Sequence, residues 1–359
     1  MKERAISLLA VAILLVFFPG TLTYAYDQAA MQRATDELGI SLPPEIMERP
    51  AIAKQLGALS RERCDQKAVY ELAKGLEEES YRREAADGLV KFSDKCGGYA
   101  DGLRRAINLM LDVSDYTRSV EIADKLIEME PNNDNSYFLR ALAYDEGNQC
   151  EKAIPDYFSA IELFGDKDKI SSTGYEKMSR CYEQLGQYCD AMLPIESWVA
   201  LDPGKNDNDQ ARSILRRLAN MGKCARETTA KKEETIRRKG TNVIKVDASI
   251  NGVKGTFVID TGATFVTIKK KFAEKAGLKA TGQRMKLNTA NGTVDGYLTK
   301  ARSVKLRSLE SERVQVVIQD GDEADFGDGT DGLIGMSFLS RFDVAMDAKA
   351  LHIRPRKTK

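Results

Sequence analysis

The apolar pattern of this 359-residue chain changes period once, near Gly240. Before that point apolar and small residues recur at helical spacing. After it they alternate with polar residues, as in strands with one buried face. A chain that switches period in this way builds two halves of different class rather than one mixed layer. The expectation is an α+β multidomain protein, helical in its N-terminal half and all-β in its C-terminal half.

Within residues 62–224 the helical pattern repeats. A 34-residue ruler, set with Pro131 as the end of one unit, aligns the small residues Ala85, Ser119 and Ala153. It also aligns Val69, Leu103 and Tyr137, then Leu76, Met110 and Tyr144, then Phe92, Leu126 and Ala160. A further unit, after a four-residue insertion, supplies Tyr175, Tyr182, Ala191, Trp198 and Pro203. Small residues let the two helices of a hairpin approach, and large ones fill the groove of the next hairpin. This period resembles the tetratricopeptide repeat and implies an α-helical solenoid, although the glycine expected between paired helices is often missing. Residues 26–61 read as a polar, irregular segment, with Leu42-Pro43-Pro44 interrupting any long helix. Residues 225–241 hold almost no apolar side chain and read as a charged linker.

The β half is expected over residues 242–356. Ile244, Val246, Ala248 and Ile250 alternate, Asn251-Gly252 makes a hairpin turn, and Phe257 and Ile259 lie on the return strand. Lys269 to Ala276 reads as a short helix stopped by Gly277. A second hairpin runs from Gln283 to Ala301 around Asn291-Gly292, Val314, Val316 and Ile318 alternate again, and a last strand pair spans Val344 to Ile353. Short strands with little helix fit a small closed β domain.

The chemistry sits in that half. The strand-like run Gly255-Thr256-Phe257-Val258-Ile259 leads into Asp260-Thr261-Gly262-Ala263-Thr264, and Asp331-Gly332-Leu333-Ile334-Gly335 follows later. Together with Met336-Ser337-Phe338-Leu339, these segments resemble the retropepsin-like aspartic proteases, bacterial members in particular. The resemblance covers the β half only. It implies a closed β domain in which Asp260 is the catalytic acid. Thr261 then holds the loop across a symmetry axis, and Gly262 lets the backbone pass close to the carboxylates. Gly332, Leu333, Ile334 and Gly335 pack beside that loop. Thr289, Ala290, Asn291 and Gly292 form a flap over the substrate. Carboxylate-driven peptide hydrolysis needs two acids sharing one proton, because like charges about 3 Å apart cannot both ionise. The chain has one Asp-Thr-Gly of this kind, so the resemblance implies a homodimer with Asp260 of each copy at the axis. Many relatives carry serine where Ala263 stands. Alanine offers no hydroxyl to the charged carboxylate, which points to a mildly acidic working range.

Other signals bound the partners and the compartment. Lys+Arg and Asp+Glu both number 54, so no basic surplus points to nucleic acid. Lys2 and Arg4, the apolar run Ala5 to Phe18 and the small-residue site ending at Ala25 follow the plan of a signal peptide over residues 1–25. Export to the periplasm or outside the cell is the expectation, with membrane anchoring if that segment stays attached. The six cysteines, Cys64, Cys96, Cys150, Cys181, Cys189 and Cys224, then read as disulfides. Fifteen connectivities are open to six cysteines. Joining neighbours in sequence gives Cys64–Cys96, Cys150–Cys181 and Cys189–Cys224. With a single histidine, His352, and no Cys-x-x-Cys, neither a metal nor another cofactor is expected. Asp320 to Asp328 reads as a solvated acidic loop. The function expected is an exported aspartic endopeptidase acting on peptides or proteins, its repeats holding a substrate or protein partner. The alternative is a non-catalytic repeat scaffold whose protease-like domain dimerises or binds peptide.

Overall fold

The computed structural model describes residues 27–355 except 167–168, 225–227, 231–232, 238–242, 282–283, 290–291, 321–325 and 348. The signal segment, Ala290, Asn291 and most of the acidic loop lie outside the described residues.

The N-terminal segment is helical, not irregular. It forms α1 (Gln28–Leu38), α2 (Pro44–Met47) and α3 (Pro50–Arg61). Pro44 and Pro50 each occupy the first turn, where the missing amide costs no hydrogen bond, so they start helices instead of breaking them. Met31, Ala34, Leu38, Ile52, Leu56 and Leu59 are buried.

Helix hairpins follow: α4 (Gln66–Glu78) with α5 (Arg82–Lys95), α6 (Ala100–Asp112) with α7 (Tyr116–Met129), α8 (Asp134–Glu146) with α9 (Cys150–Leu163), and α10 (Thr173–Gln184) with α11 (Tyr188–Leu201). The starts at Gln66, Ala100 and Asp134 reproduce the 34-residue period. Ala85, Ser119 and Ala153 are buried at the helix crossings. Where a repeat would place glycine, Ser80, Ser114 and Asn148 take left-handed φ of 69°, 56° and 57°, and Gly186 takes 70° in the last hairpin. The turn therefore persists without its usual residue, at a steric cost of about 1–2 kcal/mol at each non-glycine position. α12 (Pro203–Asn206) and α13 (Asp209–Gly222) complete this half. The disulfides are Cys64–Cys96, Cys150–Cys181 and Cys189–Cys224, with Cα–Cα distances of 5.5, 5.0 and 5.4 Å. They indicate an oxidising environment. Among the described residues no helix is long and apolar enough to cross a membrane.

The β half comprises β1 (Thr228–Ala230), β2 (Glu234–Arg237), β3 (Ile244–Ile250), β4 (Val253–Ile259), β5 (Val266–Lys269), β6 (Arg284–Thr289), β7 (Gly292–Leu306), β8 (Leu309–Gln319), β9 (Gly332–Ile334), β10 (Asp343–Met346) and β11 (Ala350–Arg354), with short helices α14 (Lys270–Lys275) and α15 (Met336–Leu339). One sheet runs β1-β8-β5-β9-β4-β3-β7-β6. The long β7 pairs with both β3 and β8 and so closes the sheet on itself. A smaller sheet runs β10-β11-β2. Part of the charged run expected as a linker is thus strand: Thr228–Ala230 pairs with β8, and Glu234–Arg237 pairs with β11. Backbone groups pair regardless of side-chain polarity, and Ile236 alone anchors β2 in the core, so composition concealed these strands.

Val314, Val316 and Ile318 fill the barrel interior, as their alternation predicts. Gln315, Val317 and Gln319 on the other face of β8 are buried as well. The helical half covers them. Val317 shares an apolar cluster with Phe158 of α9, Tyr182 of α10, and Phe265, Met285 and Leu287 of the β half. The Phe158 and Phe265 rings meet edge to face at 4.2 Å. The buried Tyr182 hydroxyl donates to Gln315 Oε1 at 2.7 Å. Asp190 of α11 receives Lys300 at 2.7 Å and Arg341 at 3.3 Å. Burial pulls the Arg341 guanidinium below its usual value, opposed by the charge of Asp190. Replacing Phe158 by alanine should therefore cost about 3–5 kcal/mol. Chemical denaturation measures it, and an unchanged midpoint would show that the halves do not depend on this contact.

Candidate active site

β9 lies between β4 and β5. It pairs parallel to β4 (Phe257↔Gly332, Val258↔Leu333, Ile259↔Ile334) and antiparallel to β5 (Thr267↔Leu333, Ile268↔Gly332). The chain leaving β4 must therefore pass the C-terminal end of β9 before it can enter β5. Asp260 begins that passage, and its amide donates to Ile334 O at 3.1 Å.

The crossing is too tight for side chains. A Cβ on Gly335 would stand 2.1 Å from Phe265 O and 2.6 Å from Ala263 O, and one on Gly332 would stand 2.1 Å from Thr267 O. Beyond Gly335 the strap is fixed by Met336 N–H to Ala263 O and Ser337 N–H to Thr264 O, each 2.8 Å. The buried Ser337 hydroxyl donates to Gln315 O at 2.7 Å and accepts from Val266 N–H at 2.9 Å. On the near side of β9, the Asp331 carboxylate accepts from Thr256 N–H at 3.0 Å. Ile334 is fully buried, and Leu333 is half-buried.

The result is an exposed carboxylate on a rigid support. Asp260, Thr261 and Gly262 are exposed, while Ala263 and Thr264 are half-buried. The Gly262 amide donates to Asp260 Oδ1 at 2.9 Å, and a Cβ there would come within 3.3 Å of that oxygen. The β6–β7 hairpin is closed by the Thr289 hydroxyl, which donates to Gly292 O at 2.7 Å. Its base sits tightly on β8, where a Cβ on Gly296 would fall 2.6 Å from Val317. Met285 and Leu287 are buried, and Asn288 is exposed.

The roles of several supporting residues were not legible from the motifs, even where the residues lie within them. Asp331 and Ser337 act through backbone groups distant in sequence, which leaves no periodic trace. Two more come from the helical half. Thr264 Oγ1 donates to Glu162 Oε1 at 3.4 Å, and Lys286 N–H donates to Ser159 Oγ at 2.9 Å. The uninterrupted apolar run Val316-Val317-Ile318 was the available signal, since a strand covered on both faces loses its alternation. α8 also approaches the hairpin. Burial, opposed by Arg140 and reinforced by Asp295 of β7, pushes the Tyr137 hydroxyl up to about 12. Asp145, Cys150 and Cys181 converge within 4.8 Å, but the two sulfurs are joined to each other and offer no thiolate to a metal.

Residues 246–338 match the model of a family described as "Aspartyl protease". The β domain is aspartyl-protease-like. A solved retropepsin-like aspartic protease from Rickettsia conorii is 29% identical, the match covering 33% of this chain and 97% of that one at a TM-score of 0.28. MamA from Desulfovibrio magneticus RS-1 is 14% identical over 50% of this chain and 99% of its own, at a TM-score of 0.36. A curated relative, small glutamine-rich tetratricopeptide repeat-containing protein 2 of Mycosarcoma maydis, is 26% identical over 111 residues. The match takes in 31% of this chain and 30% of that relative's length. The chain joins helix hairpins of 34-residue period, tetratricopeptide-like, to a β domain similar to aspartyl proteases.

The close crossing makes the site sensitive to single methyl groups. Gly335→Ala should cost about 3 kcal/mol or more, because the new Cβ has only backbone to displace. Gly262→Ala, whose nearest neighbour is a side-chain oxygen, should be tolerated far better. Thermal unfolding of the two variants checks this, and equal melting temperatures would contradict it.

Proposed function

We propose that this protein is an exported aspartic endopeptidase whose active site forms when two copies bring their Asp260 loops together. The observation that carries the reading is Asp260 itself: its exposed carboxylate accepts from the Gly262 amide and its own backbone amide donates to Ile334 O, on a strap that Gly332 and Gly335 let lie against β9. Such a carboxylate presented outward at a strand end suits an isologous contact, in which each copy supplies one acid. Thr261, exposed beside it, is the residue to bond across the axis. One Asp260, charged, takes a proton from the attacking water. The other, protonated, polarises the scissile carbonyl, and the proton it shares later passes to the leaving amine. The β6–β7 hairpin covers the bound peptide and excludes water. The three disulfides support export. The helical half adds a groove of about 720 Å³ lined by Tyr70, Glu77, Tyr99, Arg104 and Arg105, a surface suited to a protein partner or a distant part of the substrate.

Peptide cleavage by the full chain, compared with Asp260→Asn, tests the reading. The substitution should reduce the rate at least about a hundredfold while light scattering still reports a dimer. Equal cleavage by both proteins, or a strictly monomeric active form, would overturn it. Because Ala263 offers no hydroxyl to the charged acid, the rate should peak in the mildly acidic range. A maximum below about pH 3 would contradict that part.

A further inference from the structure

We propose that the enzyme takes short peptides and excludes long chains, because the helical half of each copy closes one end of the substrate cleft. The inference rests on the peptidase reading above and adds the substrate class.

An extended peptide gains backbone hydrogen bonds by adding to a strand edge, and β6 is the last strand of its sheet. In an antiparallel pair alternate residues turn their backbone groups outward. Lys286 is one of these, and its N–H donates to Ser159 Oγ of α9 at 2.9 Å. Ser159 is wholly buried, and its hydroxyl donates to Pro155 O at 2.9 Å. A helix and not a peptide therefore holds this stretch of the edge. The next outward position toward the turn is Asn288, which is exposed. Lys286 lies three residues before Thr289, where the hairpin closes on Gly292, so the arm left to a substrate is about 10 Å of strand.

The same helix fills the space beside the Asp260 strap. Phe158 shares one apolar cluster with Met285 and Leu287 of β6 and with Phe265 and Val317. Phe265 comes five residues after Asp260, and its ring meets Phe158 edge to face at 4.2 Å. A peptide laid between Asp260 and the hairpin thus reaches α9 a few residues from the scissile bond. The helix does not swing aside at small cost. Its withdrawal would expose Phe158, Phe265, Met285 and Leu287 together and leave Lys286 N–H without its acceptor. The helices beside it are held as well, Tyr182 by Gln315 and Asp190 by Lys300.

Two-fold symmetry turns one closed end into two. In an isologous pair each copy brings the same surface to the shared site, so α9 of one protomer stands at one end and that of its partner at the other. With the two hairpin turns meeting over the paired Asp260 loops, the room between the helices is about six residues of extended chain, at about 3.4 Å each. A short peptide fits there whole. A long unfolded segment has no straight way out at either end.

The test uses the full chain and a pool of short peptides, whose products, sequenced by mass spectrometry, give a cleavable core. That core is then placed in peptides of about 6 and about 20 residues. The short one should be cleaved at least about tenfold faster. The long one, added in excess, should leave cleavage of the short one unchanged, because it does not enter. If the long peptide is cleaved at a similar rate, or is spared yet inhibits cleavage of the short one, the helices do not close the cleft and the peptidase reading stands. If Asp260→Asn cleaves the short peptides as well as the unmodified protein, or neither cleaves any, both fall.

Discussion

The passage of residues 260–265 across the end of β9 is the contact on which the β half depends. β9 can lie between β4 and β5 only if the connecting chain lies almost against it. Gly332 and Gly335 permit this because their missing Cβ atoms would otherwise overlap carbonyl oxygens at 2.1 Å. Once the strap is seated, the Asp260 amide finds Ile334 O, Ser337 bridges β5 and β8, and the Asp260 carboxylate is left facing outward. Exposure of an acid on a backbone held by these contacts is a consequence of that crossing.

A second constraint joins the two halves. β8 is buried on both faces, one by the barrel interior and one by α9 and α10. All six cysteines pair within the helical half, so the junction is held by packing and polar contacts alone. Those contacts are well matched: two aromatic rings edge to face, a tyrosine hydroxyl on a buried glutamine, and Asp190 between Lys300 and Arg341. An arrangement with so much buried apolar surface behaves as one body, not as two modules on a tether. The repeats therefore touch the hairpin strand and the Asp260 loop directly.

The geometry also reframes the departures from the repeat pattern. Ser80, Ser114 and Asn148 hold a left-handed conformation that glycine would adopt more easily, and the hairpins form all the same. Burial of the aligned core residues outweighs a local strain of this size. The same balance explains why Pro44 and Pro50 start helices in a segment whose composition suggested none.

Signals carried by neighbouring residues were legible in the sequence. The change of period separated the halves, the 34-residue ruler located the hairpins from Gln66 onward, and the Asp260 and Gly335 segments, read as one unit, do pack together at the end of β9. Joining cysteines near in sequence matched the three bridges, because each spans about one repeat. What stayed hidden was whatever required two distant segments at once. The strands within the charged run exist because β8 and β11 offered them free edges. Asp331 and Ser337 became structural when their side chains met backbone amides of other strands. Ser159 and Glu162, ordinary positions on a repeat helix, met β6 and the Asp260 loop only when α9 packed on the β half. Periodicity and motif spacing record which face a residue shows. Which surface that face will meet depends on the packing of the whole chain, and tertiary structure alone decided it.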